Sequence, residues 1–165
     1  MRNIVKTSAA ALMLSCMAGN ALAAAAACAN AEDLSALRAA AVQQRLMVAA
    51  FSCQAIEPYN KFVLTYQKDL QASDRALQNY FRRTNAKSGE ADYHSFKTRL
   101  ANNSSMQSIK DTQNYCADAQ ATFEAAFSPG KKSLSAFMTG QTTPVDDAFP
   151  RCEIRTASTS KPARP

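Results

Sequence analysis

The sequence predicts an all-α fold, arranged as an antiparallel four-helix bundle with disulfide bridges. Apolar residues recur at steps of three and four in four separate segments, which is the period of a helix that packs one face on a core. The polar connections between these segments are short, and short connections favour antiparallel neighbours. No segment alternates between apolar and polar residues as a strong β-strand would.

Residues 1–23 are predicted to be a secretory signal peptide. Arg2 and Lys6 give the segment a positive start, and residues 9–18 form a short apolar stretch. Ala21–Ala23 supplies the small residues of a cleavage site. The apolar stretch is too short to cross a bilayer as a mature helix. We therefore expect an exported chain that works in the periplasm.

The first predicted helix runs from Asn30 to about Glu57. Asn30 is a favourable N-cap residue. Pro58 disfavours helical geometry at the residue before it and suits the first turn of the next helix. Gln44 and Arg45 are predicted to mark the side that faces water. The apolar side forms a stripe wide enough to contact more than one neighbouring helix, and it contains Ala39, Val42, Leu46, Ala49, Cys53 and Ile56.

The second predicted helix covers about Tyr59–Arg83, and the third covers about Glu90–Ala101. Arg82 and Arg83 end the second helix, where the helix dipole favours positive charge. Asn102 and Asn103 then interrupt the helical pattern, so the third helix is predicted to be short.

The fourth predicted helix begins at Ser104, which forms a capping box with Gln107. It ends before the helix-breaking sequence Ser128-Pro129-Gly130. A short amphipathic segment over 133–138 is expected to pack back on the bundle, so residues 24–140 are predicted to form one helical bundle domain. The inner face of the fourth helix is predicted to contain Met106, Ile109, Cys116, Ala119, Phe123 and Phe127.

The last part of the chain, residues 141–165, is predicted to be a flexible basic tail. It shows little periodicity, and residues 158–165 have the composition of a disordered segment. The chain carries a formal net charge of +6. Beyond the leader, this excess lies towards the C-terminus and not on a clustered basic face with interleaved aromatic residues, so we expect no nucleic-acid partner. No apolar run after the leader is long enough to cross a membrane, so no membrane span is expected.

Beyond the leader the sequence contains four cysteines, an even number that suits disulfide formation in an oxidising compartment. Four cysteines allow three pairings. In an up-and-down bundle the end of the first helix lies near the start of the fourth, which favours a bridge between Cys53 and Cys116. Cys28 and Cys152 then lie at the opposite end and form the second expected bridge. Closing a loop of about 64 residues by the first bridge contributes about 4 kcal/mol of stability.

The sequence shows no motif that would hold a cofactor or a metal ion. The cysteines form no Cys-x-x-Cys pair, and no cysteine is followed by the histidine that covalent haem attachment requires. Gly89, Gly130 and Gly140 are too far apart to form a phosphate-binding loop. We therefore expect no cofactor and no metal ion.

His94 is the one histidine of the chain and the one candidate for catalysis. It lies in the segment Tyr93–Lys97, which is dense in functional side chains, and Glu90 is the acidic residue one helical turn before it. A histidine of this kind more often has a surface or packing role. A small hydrolase or lyase that uses His94 is therefore an alternative hypothesis, and this segment is the first target for mutagenesis.

The leading hypothesis is a non-enzymatic exported protein that acts as a binding or interaction module. Its partner would be another envelope protein or a small apolar molecule, because helical bundles can bind ligands between their helices. The Tyr and Phe residues at helical spacing are expected to be core residues. A second hypothesis is a stress or chaperone-like protein, which would expose its Phe- and Tyr-rich faces in acid. The sequence leaves the oligomeric state open.

Three parts of the chain carry a resemblance to other proteins: the segment Gln43–Cys53, the segment Tyr93–Lys97, and Cys116. Together with the leader, they make residues 34–127 resemble uncharacterised small exported, all-helical proteins of Gram-negative bacteria. The resemblance implies an all-helical exported fold, and it implies no activity. In architecture alone, a helical bundle with a disulfide between helices is also similar to periplasmic acid-stress chaperones, although their sequences do not match this one.

Overall fold

The computed structural model describes residues 28–130 and 133–152, and these residues are mostly helical and contain no β-strand. Six α-helices follow one another along this part of the chain: α1 Ala31–Ser52, α2 Ile56–Thr65, α3 Gln67–Thr84, α4 Gly89–Lys110, α5 Thr112–Ala126 and α6 Leu134–Met138. A short 3-10 helix covers Pro144–Asp146. The predicted all-α class is confirmed. The predicted leader, residues 1–23, lies outside the described residues.

Helix α1 lies at the centre of the molecule and packs against the other five α-helices and the 3-10 helix. Its N-terminus is fixed by a capping box. The Asn30 side-chain oxygen accepts a hydrogen bond from the Asp33 N–H at 2.9 Å, and the Asp33 carboxylate accepts one from the Asn30 N–H at 2.8 Å. Buried positions from Leu37 to Ala50 cover more than one face of α1, so the helix has the wide apolar stripe that the sequence predicts.

Helix α1 ends at Ser52, earlier than the predicted end at Glu57. The chain reverses at Gln54, whose φ of 56° is left-handed, and α2 begins at Ile56, so that Glu57 is helical. Pro58 lies in the first turn of α2, where its missing N–H breaks no intrahelical hydrogen bond. The proline therefore belongs to the start of the next helix and does not set the end of α1.

The second predicted helix, Tyr59–Arg83, is divided into α2 and α3 by a break at Tyr66. The buried ring of Tyr66 packs against Phe62 and Phe137, with ring centroids 5.4 and 6.2 Å away. Its hydroxyl donates a hydrogen bond to the Ala126 carbonyl at 2.5 Å. The break therefore follows from tertiary packing, which the local apolar period does not reveal.

The predicted boundary between the third and fourth helices is wrong. Helix α4 runs without interruption through Asn102, Asn103 and Ser104, and Ser104 is buried inside it instead of capping a new helix. The chain breaks later, at Asp111, whose carboxylate accepts a hydrogen bond from the Asn114 N–H at 3.2 Å and caps α5. Asparagine is only moderately unfavourable inside a helix, so the packing of the whole segment outweighs its local preference.

This later boundary changes where two predicted core residues lie. Met106 and Ile109 lie on the solvent side of α4, with 66 and 76 % of their surface exposed, so their assignment to an inner face is wrong. The other predicted inner residues, in α5 and directly after it, are buried or half-buried. The buried residues of α4 are Gly89, Tyr93, Phe96, Ser104 and Ser108.

The buried side chains form two clusters, and α1 contributes to both. Helix α6 joins the first cluster through its buried side chains, as expected for the short amphipathic segment. The aromatic residues of the first cluster are Phe62, Tyr66, Tyr115, Phe123 and Phe137. Those of the second cluster are Tyr80, Phe81, Tyr93 and Phe96.

Two polar residues of α1 that were expected to face water pack inwards, so this part of the prediction is wrong. Gln44 is buried and Arg45 is half-buried. Nη2 of Arg45 donates a hydrogen bond to the Thr122 hydroxyl at 2.5 Å. The backbone carbonyl of Arg45 accepts a hydrogen bond from the Tyr115 hydroxyl at 2.8 Å. Nε of Arg45 is buried without a hydrogen-bond partner among the described residues. Because α5 covers this side of α1, the polar side chains do not mark a solvent face.

Residues 141–152 form a segment, here called the strap, that packs against the helices. Val145 is buried and Phe149 is half-buried, and Asp146 forms an ion pair with an arginine of α1. Residues 141–165 were expected to form a flexible tail, but the strap, which is the first part of this range, packs against the helices through two apolar side chains and an ion pair. The remaining tail residues lie outside the part of the chain that the structure describes.

Two disulfide bonds close the molecule at opposite ends of α1. Cys53 and Cys116, with Cα atoms 5.5 Å apart, join the end of α1 to the second turn of α5. Cys28 and Cys152, with Cα atoms 4.9 Å apart, join the segment before α1 to the strap. Beside this second bond, the Cys152 N–H donates a hydrogen bond to the Ala29 carbonyl at 3.0 Å. These are the two pairs favoured from the sequence.

Candidate functional site

An open groove of about 700 Å³ lies between α2 and α5, at the end of the molecule where the Cys53–Cys116 disulfide joins α1 to α5. Its lining combines apolar and polar side chains and includes the disulfide together with Ala119, Phe123 and Phe127. Protein interiors are close-packed, and apolar clefts of this size are the usual sites for ligands. We call this cleft the α2–α5 groove.

Small residues explain why the groove is open. Ala55, directly before α2, and Ala117 and Ala119 of α5 line it, and a methyl group does not reach across the gap between two helices. Gln54 lines the same end of the groove with a left-handed backbone. A residue with a Cβ adopts this conformation at a cost of roughly 1–2 kcal/mol. The neighbouring disulfide therefore helps to hold the chain in this reversal.

Three charged side chains line the groove. Glu57 and Lys61 lie one turn apart on α2, and Glu124 lies on α5. The Lys61 ammonium lies 4.4 Å from the centre of the Phe127 ring, which is a cation–π contact. The Glu124 carboxylate accepts a hydrogen bond from the Gln120 amide at 3.2 Å. Within the described part of the chain, none of the three charged groups takes part in an ion pair.

Three large apolar side chains that lie near groove residues in the sequence are exposed, but none of them lines the groove. Phe51, two residues before Cys53, has 76 % of its surface exposed, and Ile56, three residues after it, has 52 %. Leu64 lies two turns beyond Glu57 on α2 and is 72 % exposed. Single exposed apolar residues are common and do not by themselves indicate an interaction surface.

The structure places His94 on the exposed side of α4, and His94 does not line the α2–α5 groove. It lines a separate cleft of about 280 Å³ with Gln78, Arg82 and Glu90, and its ring lies 4.9 Å from that of Tyr93. Over residues 28–130 and 133–152, no hydrogen bond joins His94 to a hydroxyl, thiol or carboxylate. A hydrolase that uses an imidazole base needs such a partner as nucleophile or orienting group.

The residues beside His94 tie α4 to α3. The Tyr93 hydroxyl donates a hydrogen bond to Asp74 at 2.7 Å, and Lys97 pairs with the same carboxylate oxygen at 2.9 Å. Burial alone would raise the pKa of Asp74, but hydrogen bonds from Tyr93, Lys97 and Gln78 and the charge of Lys97 hold it below its usual value. Burial alone would lower the pKa of Lys97, but its contacts with Asp74 and Tyr93 raise it. Both groups therefore stay charged at neutral pH.

The sequence does not predict the α2–α5 groove. Glu57 and Lys61 stand four residues apart, which places them on one helix face. Their position across from Glu124 depends on the reversal at Gln54, and helical periodicity does not distinguish a filled core from an open one. The most useful sequence signal is the pair of bridging cysteines on predicted inner faces, because that disulfide lines the groove.

No protein-family model, curated protein or solved structure matches this chain. Over the described ranges, no group of three or more His, Cys, Asp or Glu side chains is placed to hold a metal ion. None of the helices in these ranges has both the length and the apolar character needed to cross a bilayer.

Proposed function

We propose that this protein is a non-enzymatic binding module whose ligand site is the α2–α5 groove. The observation that supports the proposal most directly is the open groove of about 700 Å³, whose lining combines apolar residues with three charged side chains. A cleft of this kind buries the apolar surface of a ligand, while a few polar groups fix the orientation of the ligand. The partner is an envelope protein or a small apolar molecule.

Blocking the groove tests this proposal. Gln120 lines the groove from α5, whereas Gln113 is an exposed residue of the same helix that does not line it. We expect a neutral apolar dye such as Nile red to bind the oxidised protein saturably. Gln120→Trp should weaken dye binding about tenfold, or about 1.4 kcal/mol, because the indole ring fills part of the cleft. Gln113→Trp should bind like the unsubstituted protein, and equal affinities for all three proteins would contradict the proposal.

We also propose that the chain is exported to the periplasm. Two disulfide bonds support this, because protein disulfides persist in oxidising compartments and are rare in the cytosol. Residues 1–23 have the sequence pattern of a cleaved leader. Cell fractionation should recover an oxidised form, shortened by about 23 residues, in the periplasmic fraction. An uncleaved and reduced form in the cytosol would contradict export.

We propose that the helices form an antiparallel four-helix bundle in which α2 and α3 together occupy one of the four helix positions. Asp33, near the start of α1, pairs with Arg83, near the end of α3, at 2.6 Å. The α1–α5 disulfide likewise joins the end of one helix to the start of the other. Contacts between the start of one helix and the end of the next are those that antiparallel neighbours make.

A second candidate function, an acid-responsive chaperone-like role, is favoured by the strap. The Phe149 ring of the strap lies 5.6 Å from that of Phe96 in the second aromatic cluster, and Asp146 of the strap pairs with Arg38 of α1. Burial alone would raise the pKa of Asp146, but hydrogen bonds from Arg38 and Thr143 and the charge of Arg38 lower it. An aspartate with a lowered pKa stabilises the folded state above about pH 4, and this contribution is lost as the pH falls through that lowered pKa.

Acid titration tests the chaperone-like candidate. We expect a dye that reports exposed apolar surface to brighten as the pH falls below about 4, when Asp146 becomes protonated and the strap is released. Asp146→Asn should already give part of this signal at neutral pH, because a neutral amide, like the protonated carboxyl group, does not form the ion pair with Arg38. Asp147→Asn, at the exposed neighbouring position, should titrate like the unsubstituted protein. An absence of new dye binding down to about pH 3 would rule out this function.

A further inference from the structure

The walls of the α2–α5 groove carry more negative than positive charge. Glu57 lies on the α2 wall and Glu124 on the α5 wall, and Lys61 is the one cationic side chain among the described residues that line the groove. The Lys61 ammonium is held over the Phe127 ring, 4.4 Å from its centre. Carboxylates on two different walls suit a partner that carries positive charge on both sides of an apolar surface.

The groove has the length of a short helix. Its lining residues on and directly after α5 run from Cys116 to Phe127, which at 1.5 Å per residue is about 17 Å, or about three helical turns. The groove is open to solvent. A small ligand is normally enclosed over most of its surface, whereas an amphipathic helix needs to bury one face only. An open groove between two helices therefore fits a third helix better than a small molecule.

We propose that the groove binds an amphipathic helix of a partner protein whose apolar seam is flanked on both sides by Lys or Arg. The seam packs on Ala55, Phe127 and the disulfide, which are half-buried at the surface of the groove, and the flanking cations pair with Glu57 and Glu124. This inference rests on the proposed binding function and specifies the chemistry of the partner.

The affinity and the selectivity for such a helix come from different parts of the groove. Apolar burial supplies most of the affinity, while charged groups at the rim supply orientation and selectivity. Because each exposed charge pair contributes little, the preference for a basic helix is a several-fold effect.

Two synthetic helical peptides test the inference on the oxidised protein. The peptides share one Leu seam of about three turns and differ only in the residues that flank it, which are Lys in one peptide and Glu in the other. Fluorescence anisotropy should give a dissociation constant about three- to tenfold lower for the Lys peptide. Added salt should bring the two constants closer together, because exposed charges are screened.

Charge substitutions at the rim test which residues select the partner. Glu57→Lys combined with Glu124→Lys should reverse the preference, so that the Glu peptide binds more tightly. Lys61→Gln should strengthen binding of the Lys peptide about twofold. Asp118→Lys is the matched control, because Asp118 is an exposed residue of α5 that does not line the groove. This control should keep the preference for the Lys peptide, and circular dichroism verifies that each variant is folded.

The outcomes distinguish this inference from the proposed function. If Gln120→Trp weakens binding of Nile red while the two peptides bind equally or not at all, the partner is not a basic helix, although the groove is a binding site. If Gln120→Trp changes the binding of neither the dye nor the peptides, the groove is not the site and both proposals are wrong. A preference that survives the combined Glu57→Lys and Glu124→Lys substitutions also overturns the inference.

Discussion

Gln54 is the residue at which the chain leaves α1 and enters the wall of the α2–α5 groove. Its φ of 56° is the one positive value among the non-glycine residues that the structure describes. Cys53 beside it is bonded to α5, and α2 begins two residues later at Ile56. The chain therefore has to reverse within a few residues, and the left-handed conformation of a residue with a Cβ is the cost of that short connection.

Gln54→Gly should stabilise the protein by about 0.5–1 kcal/mol. Glycine adopts a left-handed backbone without the Cβ clash, and this gain exceeds the extra entropy that it loses on folding. Gln71→Gly is the matched control, because Gln71 is exposed inside α3, where glycine should destabilise by about 1 kcal/mol. Chemical denaturation measures both changes. An equal loss in both variants would show that Gln54 is not strained.

The charged groups of Asp74, Asp146 and Lys97 give the protein a predictable pH dependence. Burial acts to raise the pKa values of both aspartates, and their hydrogen bonds and cationic partners lower them. Their stabilisation is therefore complete above about pH 4 and is lost on further acidification. The pKa of Lys97 is raised against the effect of burial, so its contribution is lost only above about pH 10.

Asp74→Asn should lower the free energy of unfolding at neutral pH and make it less sensitive to acid. The amide keeps some hydrogen bonding with Tyr93 but loses the charge that pairs with Lys97. Urea denaturation at several pH values measures the slope of the free energy of unfolding against pH. Asp118→Asn, at an exposed position, should keep the acid dependence of the unsubstituted protein. An unchanged slope in Asp74→Asn would show that this carboxylate does not titrate differently on folding.

At the scale of helices, the start of α4 is pressed against the backbone of α3. A Cβ built on Gly89 would lie 2.6 Å from the Phe81 carbonyl oxygen and 2.7 Å from the Arg82 Cα. Backbone atoms in a packed helix do not move aside as the end of a flexible side chain does. The close approach of the two helices therefore requires glycine at this position.

Gly89→Ala should destabilise the protein by about 1–3 kcal/mol, the usual cost of overpacking. The sign is opposite to that expected from helix propensity, which favours alanine. Gly130→Ala is the control, because no atom lies within 4 Å of a Cβ built there, and its stability should change little. Thermal denaturation compares the two variants, and equal melting temperatures would contradict the close contact at Gly89.

Helix ends that depend on local chemistry are predictable from the sequence, and ends that depend on distant contacts are not. Asn30 caps α1, and the sequence Ser128-Pro129-Gly130 follows α5, as their residue types indicate. The break at Tyr66 depends on a hydrogen bond to Ala126, 60 residues away in the sequence. Helix α4 likewise continues without a break at Asn102 and Asn103 because of the helices that it packs against.

The candidate site is less predictable than the helices. The sequence places Cys53 and Cys116 on inner faces, and the structure joins them beside the groove. The groove itself depends on the distance between two helices that face each other through small residues such as Ala55 and Ala117. That distance follows from the reversal of the chain after α1, and a local pattern of residues does not predict it.

At the scale of the whole molecule, the two disulfides should account for a large part of the stability. Replacing Cys53 and Cys116 with Ala removes a link between residues 63 apart and should lower the free energy of unfolding by about 4 kcal/mol. Replacing Cys28 and Cys152 removes a link between residues 124 apart and should cost about 5 kcal/mol by the same chain-entropy argument. Chemical denaturation measures both losses. Losses well below about 2 kcal/mol would show that the unfolded chain is already compact.

The bond between Cys28 and Cys152 also determines how the molecule responds to mechanical tension. Their Cα atoms are 4.9 Å apart, so a pull applied before Cys28 and after Cys152 passes from one side to the other through a covalent bond. Helices α1 to α6 lie outside this load path and keep their structure under tension. The part of the chain between Cys28 and Cys152 therefore does not lengthen while the bond is oxidised, and it can unfold under tension only after the bond is reduced.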